Sequence, residues 1–290
     1  MRRANRHILL IYHPAVIFLY FCGAIALTMM TYHPLYVVLS FVAASAYNIY
    51  LKGYKSYLRS FRYALLVVIL VTAFNALFNG LGETELFSLK ETRITLEALV
   101  FGLCSGGMLV SILLWFSNYQ VVMTTDRFLC LFGKWLPSIS MMICMILRLV
   151  PEMVYRAGLI REARHIVPRK ESRRARTIEG VRMASILMGW SMENSLEASD
   201  SMQARGYGAK RRTSFQNYTM GMRDWLVLSV LIPLFAWDLS ATIQYTGAYL
   251  FYPYLGSLGV GWIVPSLHAL LLFFPLLLEG VEQISWLRLR

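Results

Sequence analysis

SLEASDSMQARGYGAKRRTS, Ser195 to Ser214, lies in the one long polar region of an otherwise apolar chain. Its first half reads as helix: Leu196, Met202 and Ala204 are good helix formers, and Glu197 and Asp200 stand three apart on one face. Gly206 and Gly208 then stop the helix, because glycine tolerates the left-handed conformation that closes a helix C-terminus. Arg205 offsets the partial negative charge at that end. The stretch predicts a helix tip that presents Ala204, small enough for close approach, beside Arg205, a cation with a fork of donors. Such a tip suits docking, and the surrounding chain decides what it docks against.

That surrounding chain belongs in a membrane. Of its 290 residues 57% are hydrophobic and only 15% charged, with a mean hydropathy of +0.53; soluble domains carry roughly 25% charged residues. The net charge of +12 does not describe a nucleic-acid face, since the basic residues gather at segment ends and in one central block. Seven Trp and seventeen Tyr, many near segment edges, fit an interfacial belt. Cys22, Cys104, Cys130 and Cys144 stand singly in or beside apolar runs, so neither a disulfide frame nor a metal site is expected. The first apolar run follows Arg2, Arg3 and Arg6 but ends on Thr28-Met29-Met30-Thr31, without a small-residue cleavage site, and reads as a retained helix.

A membrane span needs about 20 apolar residues. Spans are expected over 14–30, 35–51, 63–78 and 96–116, then over 226–245 and 260–278, the last broken by Pro265 and Pro275. His13 and His33 each precede a proline, a pattern that marks a helix start. Gly102, Ser105, Gly106 and Gly107 put small residues on the fourth span, where another helix can approach closely. The N-terminus, a Lys52–Arg62 loop and the Arg288/Arg290 end are basic, while the loops near His33, Gly82 and Tyr252 are poor in Lys and Arg. Six spans with both termini in the cytoplasm satisfy that pattern. The chain thus reads as an all-α polytopic membrane protein in three parts. Residues 1–116 hold spans one to four, residues 117–223 long cytoplasmic coupling helices, and residues 224–290 the last two spans.

Within the central part, 126–137 reads as a short interfacial helix with an apolar stripe of Phe128, Leu129, Leu131, Phe132 and Trp135. A second helix covers 138–165, with Pro151 expected to kink it. A third covers about 174–205, roughly 45 Å at 1.5 Å per residue. From Arg148 to Arg223 there are fifteen Lys and Arg against seven Asp and Glu, which keeps the block on the cytoplasmic side. Its apolar residues Ile186, Leu187, Met188, Trp190, Met192 and Leu196 predict helices that bury a face against each other and the spans.

Signs of a reaction centre are missing. Gly133-Lys134 lacks the earlier glycine of a phosphate-binding loop, and there is no HExxH, GxSxG or GxGxxG after a strand. Asp238 and His268 fall inside spans, where an ionisable group is a functional hypothesis, but neither has a partner visible in the sequence.

Ala204-Arg205-Gly206-Tyr207-Gly208, followed by Arg212-Thr213 and preceded by Asp200 and Met202, closely resembles the signature of the transmembrane T component of energy-coupling factor transporters. These are ATP-driven bacterial and archaeal importers of vitamins and of nickel or cobalt ions. The family carries two Ala-Arg-Gly-like motifs, each ending a long cytoplasmic helix. The other falls at Ala163-Arg164-His165, after a helix-opening stretch that includes Pro151-Glu152, with His165 where the family has glycine. The resemblance implies that each arginine tip seats in a groove on one of two ATP-binding-cassette ATPase subunits, and that the two helices cross as an X. It further implies a separate substrate-binding membrane S component carried on the T component's apolar surface. This chain would then hold no cofactor, ATP being bound by the partners. Arginine suits the joint because its planar, always-charged guanidinium holds oxygens at two points.

Two other classes compete with a non-catalytic transport subunit. An integral membrane enzyme with a cytoplasmic-face site would need clustered acids or histidines, and Glu152, Glu162 and Asp200 are dispersed along helices. A membrane-tethered nucleic-acid module would need aromatics interleaved with the basic block, which are few.

Overall fold

His13-Pro14 and His33-Pro34 each open a helix in the computed structural model, which describes residues 12–79, 82, 84–89, 92–133, 135–165, 173–209, 220–249, 251–252, 256 and 261–288. In both, proline takes a first-turn position where no amide hydrogen is needed, and the preceding imidazole Nδ1 accepts from the next free amide, Ala15 or Leu35, at 3.1 and 3.3 Å. The elements are α1 (Pro14–Met30), α2 (Pro34–Lys52), α3 (Tyr54–Phe78), β1 (Glu85–Leu89), β2 (Thr92–Thr95), α4 (Leu96–Val122), α5 (Thr125–Phe132), α6 (Pro137–His165), α7 (Arg173–Ala204), α8 (Met222–Ala248) and α9 (Ile263–Arg288). Six of these, α2, α3, α4, α6, α8 and α9, are long and apolar enough to cross a bilayer. At seventeen residues α1 stands at the short limit for a span. The chain is a multi-pass, almost entirely helical membrane protein.

Three expectations need correction. The basic stretch after Lys52 is not a loop: Gly53 turns the corner at φ 80°, and α3 starts at Tyr54, so Lys55, Arg59 and Arg62 ride on its first turns. Polar helix extending a span carries no apolar signal and is invisible to hydropathy. α9 runs unbroken through Pro265 and Pro275. Pro265 sits in its first turn, where its lack of an amide hydrogen costs nothing. Pro275 cannot donate to the Leu271 carbonyl four residues back, and the buried Tyr20 hydroxyl of α1 donates to that oxygen instead at 3.3 Å, and to Leu272 O at 3.0 Å. Finally, a short antiparallel hairpin, β1 with β2, occupies what reads as loop before α4. Thr95 caps α4 by accepting from Ala98 N, and buried Glu97 accepts from the Thr84 amide at 3.4 Å, tying hairpin to helix.

The chain divides into two units, one of residues 1–128 with 218–290 and one of residues 129–217. The first joins the opening and closing segments of the sequence in one bundle. Its centre is aromatic: Tyr20, Phe21, Tyr47 and Trp115 are wholly buried, and their rings meet mostly edge to face at 5.5–6.4 Å. The small residues of α4 do what their size predicts. A Cβ on Gly102 would stand 2.9 Å from Thr72 Cα, and one on Gly106 would stand 3.1 Å from Val68 Cα, so α3 and α4 touch backbone to backbone. Polar contacts fix neighbouring helices: Thr28 with Ser40 at 2.8 Å, Trp115 Nε1 donating to Ser40 Oγ, and Asn48 donating to Asn118, which donates to Ala44 O.

These contacts also give helix directions. Pairs Thr28–Ser40 and Phe21–Tyr47 make α1 and α2 antiparallel, whereas Gly107 against Val37 and Asn118 with Asn48 make α4 parallel to α2. His13 N donates to Asp224 Oδ1 at 3.1 Å and Gly23 packs on Phe235, so α8 runs with α1. Hence α4 ends, and α8 begins, on the side of the bundle where α1 starts. The intervening segment leaves from and returns to one side.

The second unit contains α6 and α7. α6 is continuous through Pro151, and α7, at 32 residues, is roughly 48 Å long at 1.5 Å per residue. The burial expected for Ile186, Met188, Met192 and Leu196 does not occur within this chain: all four are exposed, and only Leu187 and Trp190 are half-covered. Val150, Val154, Tyr155 and Leu159 of α6 are open as well.

Candidate functional site at the ends of α6 and α7

The end of α7 is built from backbone rules. Helical geometry stops at Ala204, Arg205 occupies the cap position, and Gly206 follows at φ 81°. Gly206 N donates to Gln203 O at 2.9 Å and Tyr207 N to Met202 O at 3.0 Å. That pair of crossed bonds is the Schellman closure, which satisfies carbonyls a helix end would otherwise leave bare and requires φ > 0 at its central residue. Gly208, at φ 87°, continues the turn, and Ala209 N returns to Gly206 O.

The closure dictates what the tip shows. Ala204, Arg205 and Gly206 are all exposed, and space around a Gly206 Cβ is open, so this glycine is needed for its torsion rather than for room. The Arg205 guanidinium has no hydrogen bond or ion pair among the described residues. Asp200, one turn back, is likewise exposed.

α6 carries the other motif. Ala163 is exposed near its C-terminal end, and Arg164 and His165 are its last two residues. Arg212 and Thr213 lie outside the described residues. Pro151 and Glu152 lie within α6, where the Glu152 carboxylate meets Arg156 at 3.4 Å one turn on. The same guanidinium stacks on Trp190 of α7, with Cζ 3.8 Å from the ring centroid. Arg156 with Trp190 thus marks where the two helices meet. From there about eight residues of α6 lead to Arg164 and about fifteen of α7 to Arg205, arms of roughly 12 and 22 Å.

No protein-family model matches this chain, and no curated protein does. Among the described residues no three His, Cys, Asp or Glu side chains gather as a metal site. None of the four cysteines is in a disulfide among the described residues.

Sequence reasoning missed one cluster outright. Asp238 and His268 do have a partner, namely each other: Nδ1 and Oδ2 are 2.8 Å apart and both side chains are wholly buried between α8 and α9. The imidazole also meets the Tyr36 ring of α2 edge to face at 5.0 Å. A lone carboxylate and a lone imidazole on successive spans was the available signal.

Proposed function

We propose that this chain is the transmembrane coupling subunit of an ATP-driven importer of the energy-coupling-factor kind, serving vitamin or transition-metal uptake. In this reading the tips around Ala163-Arg164-His165 and Ala204-Arg205-Gly206 dock into two ATPase subunits that bind the ATP. A substrate-binding membrane S component covers apolar surface of α6 and α7. The carrying observation is Arg205: a cation without a partner among the described residues, held at the closed end of a 32-residue helix. An exposed arginine elsewhere on a helix flank would be ordinary. One fixed at a rigid end, beside an alanine and a glycine that let another backbone approach, has the form of a plug.

Two further features support the reading. Apolar side chains such as Val154, Met188 and Leu196 stand open on α6 and α7, and this surface needs either lipid or a protein partner. The central segment also leaves and re-enters the bundle on one side, so it crosses the bilayer an even number of times. α6 is the one helix in that segment apolar enough to cross, among the described residues. In this reading α6 does not cross, and its apolar face, like that of α7, is turned to membrane or partner. The surplus of Lys and Arg between 148 and 223 then favours the cytoplasm for that segment, with both termini cytoplasmic and the cell membrane as location.

Mechanically, ATP binding draws the two ATPases together and carries the seated arginines with them. Helices held at the Arg156–Trp190 contact transmit that movement to the apolar surface carrying the S component. Lysine would not replace arginine, because a point charge lacks the two-pronged grip.

Co-purification tests the reading: the chain is co-expressed with the two ATPases and S component, and the ATPase is pulled down. R164E/R205E is expected to weaken recovery by roughly 10- to 100-fold per tip, the worth of a charge-assisted hydrogen bond. An undisturbed complex would contradict it, and turnover by the isolated chain would favour a membrane enzyme.

A further inference from the structure

The buried Asp238–His268 pair poses a physical question that the docking tips do not answer. Taking a hydrogen-bonded pair that includes a carboxyl group out of water costs about as much as its attraction returns, and well-packed apolar residues usually serve stability as well or better. The best-attested use of such a pair is to select one arrangement among several that packing alone leaves nearly equal.

α9 is a helix that needs such selection. From Leu270 to Leu278 it reads LLLFFPLLL, an uninterrupted apolar run in which sliding by one turn still sets an apolar side chain, Leu, Phe or Pro, against whatever apolar surface the run contacted before. Within a bilayer there is no hydrophobic drive to distinguish the two, because lipid is as apolar as the neighbouring helix. The polar groups are what differ along its inner face. His268 lies toward one end and Glu279 toward the other, eleven residues apart, and both are buried. On parallel α2, Tyr36 and Tyr47 are also eleven apart: Tyr36 meets His268 edge to face and Tyr47 lies beside Glu279. Between these points Tyr20 bonds the carbonyls at Leu271 and Leu272. A one-turn slip would place Asp238 and the imidazole against hydrocarbon without each other.

We propose that Asp238–His268 is a register lock, which fixes the axial position of α9 against α8 and, through Tyr36, against α2. The lock is a property of the bundle unit and stands whether or not the chain couples to ATPases. Asp238 supplies the acceptor, His268 the donor at Nδ1, and the Tyr36 ring holds the imidazole plane.

Spin labels test it in the full-length chain, with Cys22, Cys104, Cys130 and Cys144 replaced. Labels go at W237C on α8 and L270C on α9, both half-exposed positions. The parent is expected to give one narrow distance by pulsed electron resonance. D238L/H268L is expected to fold as well as the parent but to give a broadened or doubled distribution, with components separated by up to about one helical turn, roughly 5 Å. The swapped pair D238H/H268D is expected to restore the single distance. A single parental distance in D238L/H268L overturns the proposal. So does a swapped pair that folds no better than D238L or H268L alone, an outcome readable even if the double leucine variant does not fold.

Discussion

In the bundle unit Ile17, Phe21 and Trp115 are wholly withdrawn from the surface, whereas Met188, Met192 and Leu196 of α7 are 68–70% exposed. The residue types are alike and their circumstances opposite. In the bundle, inward groups find counterparts in the same chain: glycine beneath threonine, asparagine with asparagine, aspartate with histidine. In the second unit, α6 and α7 meet at Arg156 and Trp190, and α7 ends in a well-made C-cap. Apolar residues such as Val154, Met188 and Leu196 stay exposed there, the surface the proposed partners would cover. Damage to the first unit should therefore appear as lost stability, and damage to the second as lost assembly with the fold intact.

Removing one half of the buried pair gives the largest stability effect. Asp238→Leu strands the imidazole without a partner and is expected to cost about 3–5 kcal/mol, read as a lowered unfolding midpoint in detergent. Next comes Gly102→Val. Even its Cβ would meet Thr72 Cα at 2.9 Å, so α3 and α4 must separate, at about 1–3 kcal/mol in the same assay. If either variant leaves the midpoint unchanged while disrupting assembly, the division of labour between the units is wrong.

Gly206→Ala sharpens the contrast from the other side. Alanine at φ 81° costs roughly 1–2 kcal/mol locally, which frays the end of α7. The bundle's unfolding midpoint should hold while ATPase co-purification falls. The smallest effect concerns pH. Burial lowers the His33 pKa below its usual 6.5, and Nδ1 must stay unprotonated to cap α2. As pH falls the unfolded chain takes up this proton first, so the contribution is full above about pH 6.5 and is lost progressively below it. Midpoints at about pH 7.5 and about pH 5.5 should differ by less in His33→Asn, whose amide oxygen keeps the cap without titrating.

Features that depend on a few adjacent residues were readable in advance. His-Pro opened α1 and α2, the glycines of α4 marked its approach to α3, and Arg-Gly-Tyr-Gly closed α7 within one residue of the expected end. Features that depend on distant residues were not. Asp238 and His268 are thirty apart on two helices, and nothing near either one names the other. Pro275 signals a broken helix until Tyr20, on a different helix, proves able to bond the carbonyl it leaves bare. The exposed face of α7 misled for a related reason: an apolar stripe declares that something covers it, without saying whether that something is in the same chain.

The central claim is that the end of α7 belongs inside another protein. With the four native cysteines replaced, a cysteine at Ala204 carrying a photo-crosslinker, in the assembled complex, tests this most directly. A crosslink to the ATPase subunit, abolished by adding R205E, is the expected result. Crosslinking only within this chain or to lipid, with the ATPases bound nonetheless, would contradict the account.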